Sequence, residues 1–118
     1  MKTRTLLVAD DDLIFRALMR KHLEEPGFRG VELESGEGLA AEIARHRPVG
    51  CLLDIIMDEG YESIIDAVAR GERPKPIAVS SNALCLDIGE DMGVDAILEK
   101  PVTPVKLAAV LVKLGLLE

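Results

Sequence analysis

The 118-residue sequence predicts an α/β fold: one doubly wound, five-stranded parallel sheet with five helices laid over its two faces. Three observations predict it. Short apolar runs alternate with stretches of helical period along the whole chain. The best of those runs, Val49-Gly50-Cys51-Leu52-Leu53, is continuous rather than alternating, as expected of a strand buried on both faces. Neither a repeat period nor a low-complexity linker interrupts the pattern, so residues 1–118 read as a single domain.

The elements follow in order. Thr5-Leu6-Leu7-Val8-Ala9 is a buried first strand that stops at Asp10-Asp11-Asp12. The first helix places Phe15, Leu18, Met19 and Leu23 on one stripe, and Pro26-Gly27 ends it. Val31 and Leu33 alternate with Glu32 and Glu34 in a second strand near a sheet edge. Gly36 leads into a second helix with Leu39, Ile43 and Ala44 inward, closed by Pro48. The third strand ends in Asp54, and a turn, Met57-Asp58-Glu59-Gly60, opens a third helix carrying Ile64, Ile65 and Val68 up to Gly71. Ile77-Ala78-Val79 is the fourth strand, ending at Ser80-Ser81, and residues 83–92 form a weak fourth helix interrupted by Gly89. Ala96-Ile97-Leu98 is the fifth strand, ending at Glu99-Lys100-Pro101. The last helix has Thr103 as its cap and Pro104 at its first position, turns Leu107, Val110, Leu111 and Leu114 inward, and stops at Gly115.

Composition narrows the function classes. A net charge of −7 with no basic tract argues against direct binding of nucleic acid. The apolar runs are too short to span a bilayer, and no signal peptide is recognised, so no membrane association is expected. Cys51 and Cys85 lack metal-ligand spacing and read as free thiols of a reducing cytoplasm. Gly36-Glu37-Gly38 matches neither the dinucleotide fingerprint nor the phosphate loop.

The polar residues of interest share one rim. Asp10, Asp11, Asp54, Ser80 and Lys100 all fall at or just beyond the carboxyl ends of strands one, three, four and five, where open α/β sheets bind ligands. Each alone has an ordinary structural reading, and one of the first acids suits a helix cap. Together they call for a cation, because two carboxylates about 4 Å apart repel by roughly 4 kcal/mol at an effective dielectric near 20. An all-oxygen donor set suits Mg²⁺. Lys100 supplies a counter-charge that reaches an incoming phosphoryl oxygen, and Ser80 a further donor. The chemistry this pattern implies is attack of a carboxylate on phosphorus to give an acyl phosphate.

In these residues the whole chain resembles the receiver domains of two-component response regulators. The resemblance rests on Asp10-Asp11 after strand one, Leu53-Asp54-Ile55-Ile56-Met57 after strand three, Ser80 after strand four and Lys100-Pro101 after strand five. It implies a flavodoxin-like sheet of strand order 2-1-3-4-5. It also implies that Asp54 accepts phosphoryl from a phosphohistidine on a histidine kinase or histidine phosphotransfer protein. Asp10, Asp11, Asp54 and the Ile56 backbone carbonyl would ligate Mg²⁺, Asp11 directly and Asp10 largely through water. Ser80 and Lys100 would bind the phosphoryl oxygens, and Lys100-Pro101 would be a cis peptide. By the same resemblance the protein is a cytoplasmic phosphoacceptor rather than a turnover enzyme. The sequence does not name the output, which would be either an unknown partner or an effector domain removed beyond Glu118, nor does it say whether Glu118 is the natural end. A homodimer would form through the face of the fourth helix, fifth strand and fifth helix.

Some positions depart from the family pattern. Met57-Asp58 stands where Met-Pro is usual, and Ile97 where receivers commonly carry Tyr or Phe. Isoleucine has no polar tip to exchange between buried and exposed poses, so the signal is expected to leave instead through the backbone of residues 81–92. Two other classes share parts of this pattern. A phosphorylation-independent interaction domain would keep the fold and lose the phosphoryl chemistry. A haloacid-dehalogenase-type phosphatase would need an acid two residues after its nucleophile, and that residue is Ile56.

Overall fold

The computed structural model describes residues 3–35, 38–54, 74–82, 87 and 93–118. Within them are five strands and three helices: β1 (Thr5–Ala9), α1 (Leu13–Glu24), β2 (Arg29–Leu33), α2 (Leu39–His46), β3 (Gly50–Asp54), β4 (Lys75–Ser80), β5 (Ala96–Glu99) and α3 (Pro104–Lys113). α3 is the fifth helix of the sequence reading. The predicted third helix lies outside the described residues, as do the turn before it, Ile56, Cys85 and Gly36. Of residues 83–92 only Asp87 is described, helical and exposed.

The strands form one parallel sheet of order β2-β1-β3-β4-β5, the order expected. The chain steps outward from β1 to β2, then back across to β3. Right-handed crossovers in opposite directions put α1 and α2 on opposite faces. Side chains of successive strand residues point to opposite faces, and two cores result. Leu6, Val8, Leu52, Ile77, Val79 and Leu98 pack under Phe15, Met19 and Leu23 of α1 and Leu107 and Leu111 of α3. Leu7, Ala9, Cys51 and Leu53 pack under Leu39 and Ile43 of α2.

Side-chain capping accounts for the starts of α1 and α3. Asp12 accepts hydrogen bonds from the amides of Ile14 and Phe15, at 2.9 and 3.2 Å. Thr103 accepts one from Lys106 at 3.2 Å, with Pro104 opening α3. α1 lies directly on β2. A Cβ on Gly30 would meet Arg20 Cγ at 2.8 Å and Arg20 Cα at 3.0 Å, so only glycine admits this approach.

Two inward assignments are corrected. Leu18 is 46% exposed: with 3.6 residues per turn it lies about 60° to one side of Phe15, while Met19 and Leu23 lie about 40° and 80° to the other. Ala44 is likewise exposed, about 100° on from Ile43, which with Leu39 faces the sheet. Val110 and Leu114 are half-buried against the core.

Candidate functional site

The reversal of strand order places β1 and β3 side by side, with Ala9 opposite Leu53 in register. The chain leaves these strands at Asp10 and Asp54. Asp10 continues the parity of Leu6 and Val8, Asp54 that of Leu52, and Lys100 that of Leu98, so all three side chains head for the face under α1 and α3. Carboxylate oxygens of Asp10, Asp11 and Asp54 lie within 4.8 Å of one another. Asp10 is fully buried and Asp54 is 7% exposed, while Asp11 is exposed.

Lys100 binds the acids together. Its Nζ is 2.8 Å from Asp10 Oδ2 and 3.7 Å from Asp54 Oδ2, and it sits 4.3 Å from the centroid of the Phe15 ring, a cation–π distance. The Lys100-Pro101 peptide is cis. Asp10 is held on every side. Its amide donates to Leu33 O at 3.0 Å, its Oδ1 accepts from the Asp12 amide at 2.9 Å, and its carbonyl accepts from Arg16 Nη1 at 2.7 Å. Its Oδ2 is buried and has no well-aligned hydrogen-bond donor. The short approach of Lys100 is an ion pair by distance whose angles miss those of a hydrogen bond. Burial holds the Asp10 carboxyl above its ordinary value, and the Asp54 charge adds to the rise; Lys100 and the Asp12 amide pull against it.

Ser80 ends β4 on the same rim and is buried. Its Oγ accepts from the Asn82 amide at 3.0 Å, and its carbonyl accepts from the Lys100 amide at 2.9 Å. Asp10, Asp11, Asp54 and Lys100 are therefore one cluster, with Ser80 on the neighbouring strand end.

A family model for the response regulator receiver domain matches residues 6–112. The chain belongs to this family. A search of the curated proteins gives no match. Among solved structures, a CheY-like receiver domain from Methylobacillus flagellatus is 19% identical with a TM-score of 0.80, covering 95% of this chain and 98% of that one. The chemotaxis protein CheY4 of Vibrio cholerae is 18% identical with a TM-score of 0.80, covering 95% and 98%. The receiver domain of a sensor histidine kinase from Pseudomonas aeruginosa is 22% identical, also with a TM-score of 0.80, over 95% and 97%; its structure has a magnesium ion coordinated in the active-site cleft. At these identities the likeness is one of fold.

The receiver's acidic cluster fits a divalent cation on its own chemistry. Among the described residues it offers hard oxygen donors, three carboxylates against one ammonium, and the buried Asp10 Oδ2 has a lone pair without an aligned partner. Two contributors escaped the sequence reading. Phe15 belongs to the inward stripe, and its ring also carries Lys100. Arg16 is the other, and a charged residue between Phe15 and Met19 on a buried helical stripe is a signal that sequence alone offers.

Proposed function

We propose that this receiver domain is a Mg²⁺-dependent phosphoacceptor, in which Asp54 takes a phosphoryl group from a phosphohistidine on a histidine kinase or histidine phosphotransfer protein. The observation that carries the reading is the Asp54 carboxylate at the end of a central strand, clustered with Asp10 and Asp11 and 3.7 Å from Lys100. A carboxylate oxygen attacks phosphorus, and the P–N bond to the donor imidazole breaks. The electron pair stays on that nitrogen and Asp54 becomes an acyl phosphate. Asp10, Asp11 and Asp54, with the Ile56 carbonyl, would hold Mg²⁺, which when bound supplies charge neutralisation at the phosphoryl oxygens. Lys100, fixed between Asp10 and the Phe15 ring, needs only a small shift to meet one phosphoryl oxygen. Ser80 would donate its hydroxyl proton to another.

The product is covalent and stays on the protein, so the domain is a signalling element whose own chemistry ends in self-phosphorylation and autodephosphorylation. With a donor of that class, the domain would act in the cytoplasm. The output surface is proposed to include β5 and α3, where Ile97 and Val112 are exposed, and to serve an effector or a second copy.

The test is intact mass after incubation with acetyl phosphate and Mg²⁺. One phosphoryl group should be added to the wild type and none to Asp54→Asn or to the metal-free protein. Equal modification of wild type and Asp54→Asn would overturn the assignment. Absence of modification in the wild type, by this donor and by a phosphohistidine donor, would favour a phosphorylation-independent interaction domain.

A further inference from the structure

We infer that Arg16 is a positioning residue for the acidic site, setting the Asp10–Asp11 peptide plane through its bond to the Asp10 carbonyl; this rests on the Mg²⁺-dependent reading above. Arg16 is 8% exposed, in the first turns of α1, where a cation meets the positive end of the helix dipole. Burial of a guanidinium there is unfavourable unless other groups hold it. Two groups do so. Nη1 donates to Asp10 O at 2.7 Å, and Nε lies 3.5 Å from Glu32 Oε1 on β2. Glu32 is itself fixed from outside by Arg20 Nη1 at 2.8 Å, and Gly30 lets that side of α1 settle on β2.

The carbonyl that Arg16 holds belongs to the same rigid plane as the amide of Asp11. Fixing one end of the plane fixes the direction in which the Asp11 backbone, and hence its exposed carboxylate, leaves the strand. The amide and Oδ1 of Asp10 are already tied to Leu33 and Asp12, so the carbonyl is the remaining handle on this corner. A lysine at position 16 would keep the charge near Glu32 but could not span Glu32 and the carbonyl with one planar fork. Arg16 therefore governs how well Asp11 and Asp10 share a cation, without touching that cation.

The experiment is calorimetric titration with Mg²⁺ alone, at a temperature where every variant is shown by circular dichroism to be folded, together with amide spectra of the metal-free proteins. Arg16→Lys should weaken Mg²⁺ binding by about tenfold, as loss of an outer-sphere partner does, and should shift the Asp11 and Asp12 amide resonances before any metal is added. Glu32→Gln, which loosens Arg16 from the far side, should weaken Mg²⁺ binding by a smaller factor. Arg20→Gln, which cuts only the outer arm, should leave it unchanged. Asp11→Asn separates the two readings: if it too binds Mg²⁺ like the wild type, the metal site itself is wrong. If Asp11→Asn loses Mg²⁺ while Arg16→Lys and Glu32→Gln bind it normally, the positioning role of Arg16 alone is overturned.

Discussion

The two ends of the same sheet use their charges in opposite ways. At the amino end, Arg4 donates to Leu116 O, and Lys75 Nζ donates to Leu114 O at 2.6 Å. Both cations meet carbonyls at the carboxyl terminus of α3, where the helix dipole favours positive charge. Around them the packing is tight: a Cβ on Gly50 would come within 3.2 Å of Leu6 and 3.4 Å of Leu116. At the carboxyl end three carboxylates cluster, and one ammonium pairs with two of them. Among the described residues of the amino end, the cations and carbonyls satisfy one another. Among the described residues, the carboxyl end gathers acidic groups where burial makes negative charge costly, an arrangement that a bound cation would complete. Charge serves stability at one end and, in the proposed function, binding at the other.

Breaking the stable end should produce the largest change in stability and none in metal binding. Leu6 is fully buried, and Leu6→Ala should lower unfolding free energy by roughly 2–5 kcal/mol in urea titrations. Mg²⁺ affinity, measured where the variant is still folded, should match that of the wild type. A parallel loss of Mg²⁺ affinity would mean that the two ends are coupled through β1.

Next in size is Lys100→Met. It keeps the hydrocarbon stem on Phe15 and removes the ammonium beside a buried carboxylate. Because Lys100 keeps 20% of its exposure, the metal-free protein should lose about 1–3 kcal/mol rather than the full cost of breaking a buried pair. Mg²⁺ should bind more tightly, since a competing cation has gone, and saturating Mg²⁺ should restore stability by mass action. Modification by acetyl phosphate should become slower even so. Unchanged stability together with unchanged Mg²⁺ affinity would show that Lys100 does not hold these acids together.

The same contrast explains what could be read from sequence. The sheet was legible because Leu6 to Ala9 and Cys51 to Leu53 are continuous apolar runs, and their burial on both faces leaves no other place for them. The rim was legible because each run stops at a polar residue, and parallel strands bring those stops together. Strand order came from the family resemblance. Leu18 and Ala44 were misplaced because an apolar side chain at the border of a helical stripe costs little when exposed, so spacing alone does not decide it. The helical stripe marks Arg16 as a charged residue in a buried place, but its partner and that of Phe15 lie across elements, at a backbone carbonyl and at Lys100 far along the chain. No local pattern encodes such contacts.

The smallest effect concerns the pH dependence of the buried acid. Burial raises the Asp10 carboxyl above its ordinary value, and the Asp54 charge pushes it further in the same direction. A folded-state value above the unfolded one means that the unfolded chain gives up this proton first as pH rises. Between the two values the folded state holds more protons, so unfolding free energy falls with rising pH. The contribution of Asp10 is thus fully present below the ordinary carboxylate range and is lost as pH climbs through the raised value. Asp10→Asn keeps an oxygen to accept the Asp12 amide, as Oδ1 does now, and has no proton to lose. In metal-free protein its stability relative to wild type should therefore improve as pH is raised from the acid side through this window, then level off. Added Mg²⁺ should reverse the trend for the wild type, because the cation favours the ionised carboxylate. Thermal melts of both proteins from pH 3.5 to 7, with and without Mg²⁺, would measure it. A wild-type advantage that grows with pH in the absence of metal would mean that the Lys100 pair outweighs burial at Asp10, and the contrast between the two ends would lose its electrostatic basis.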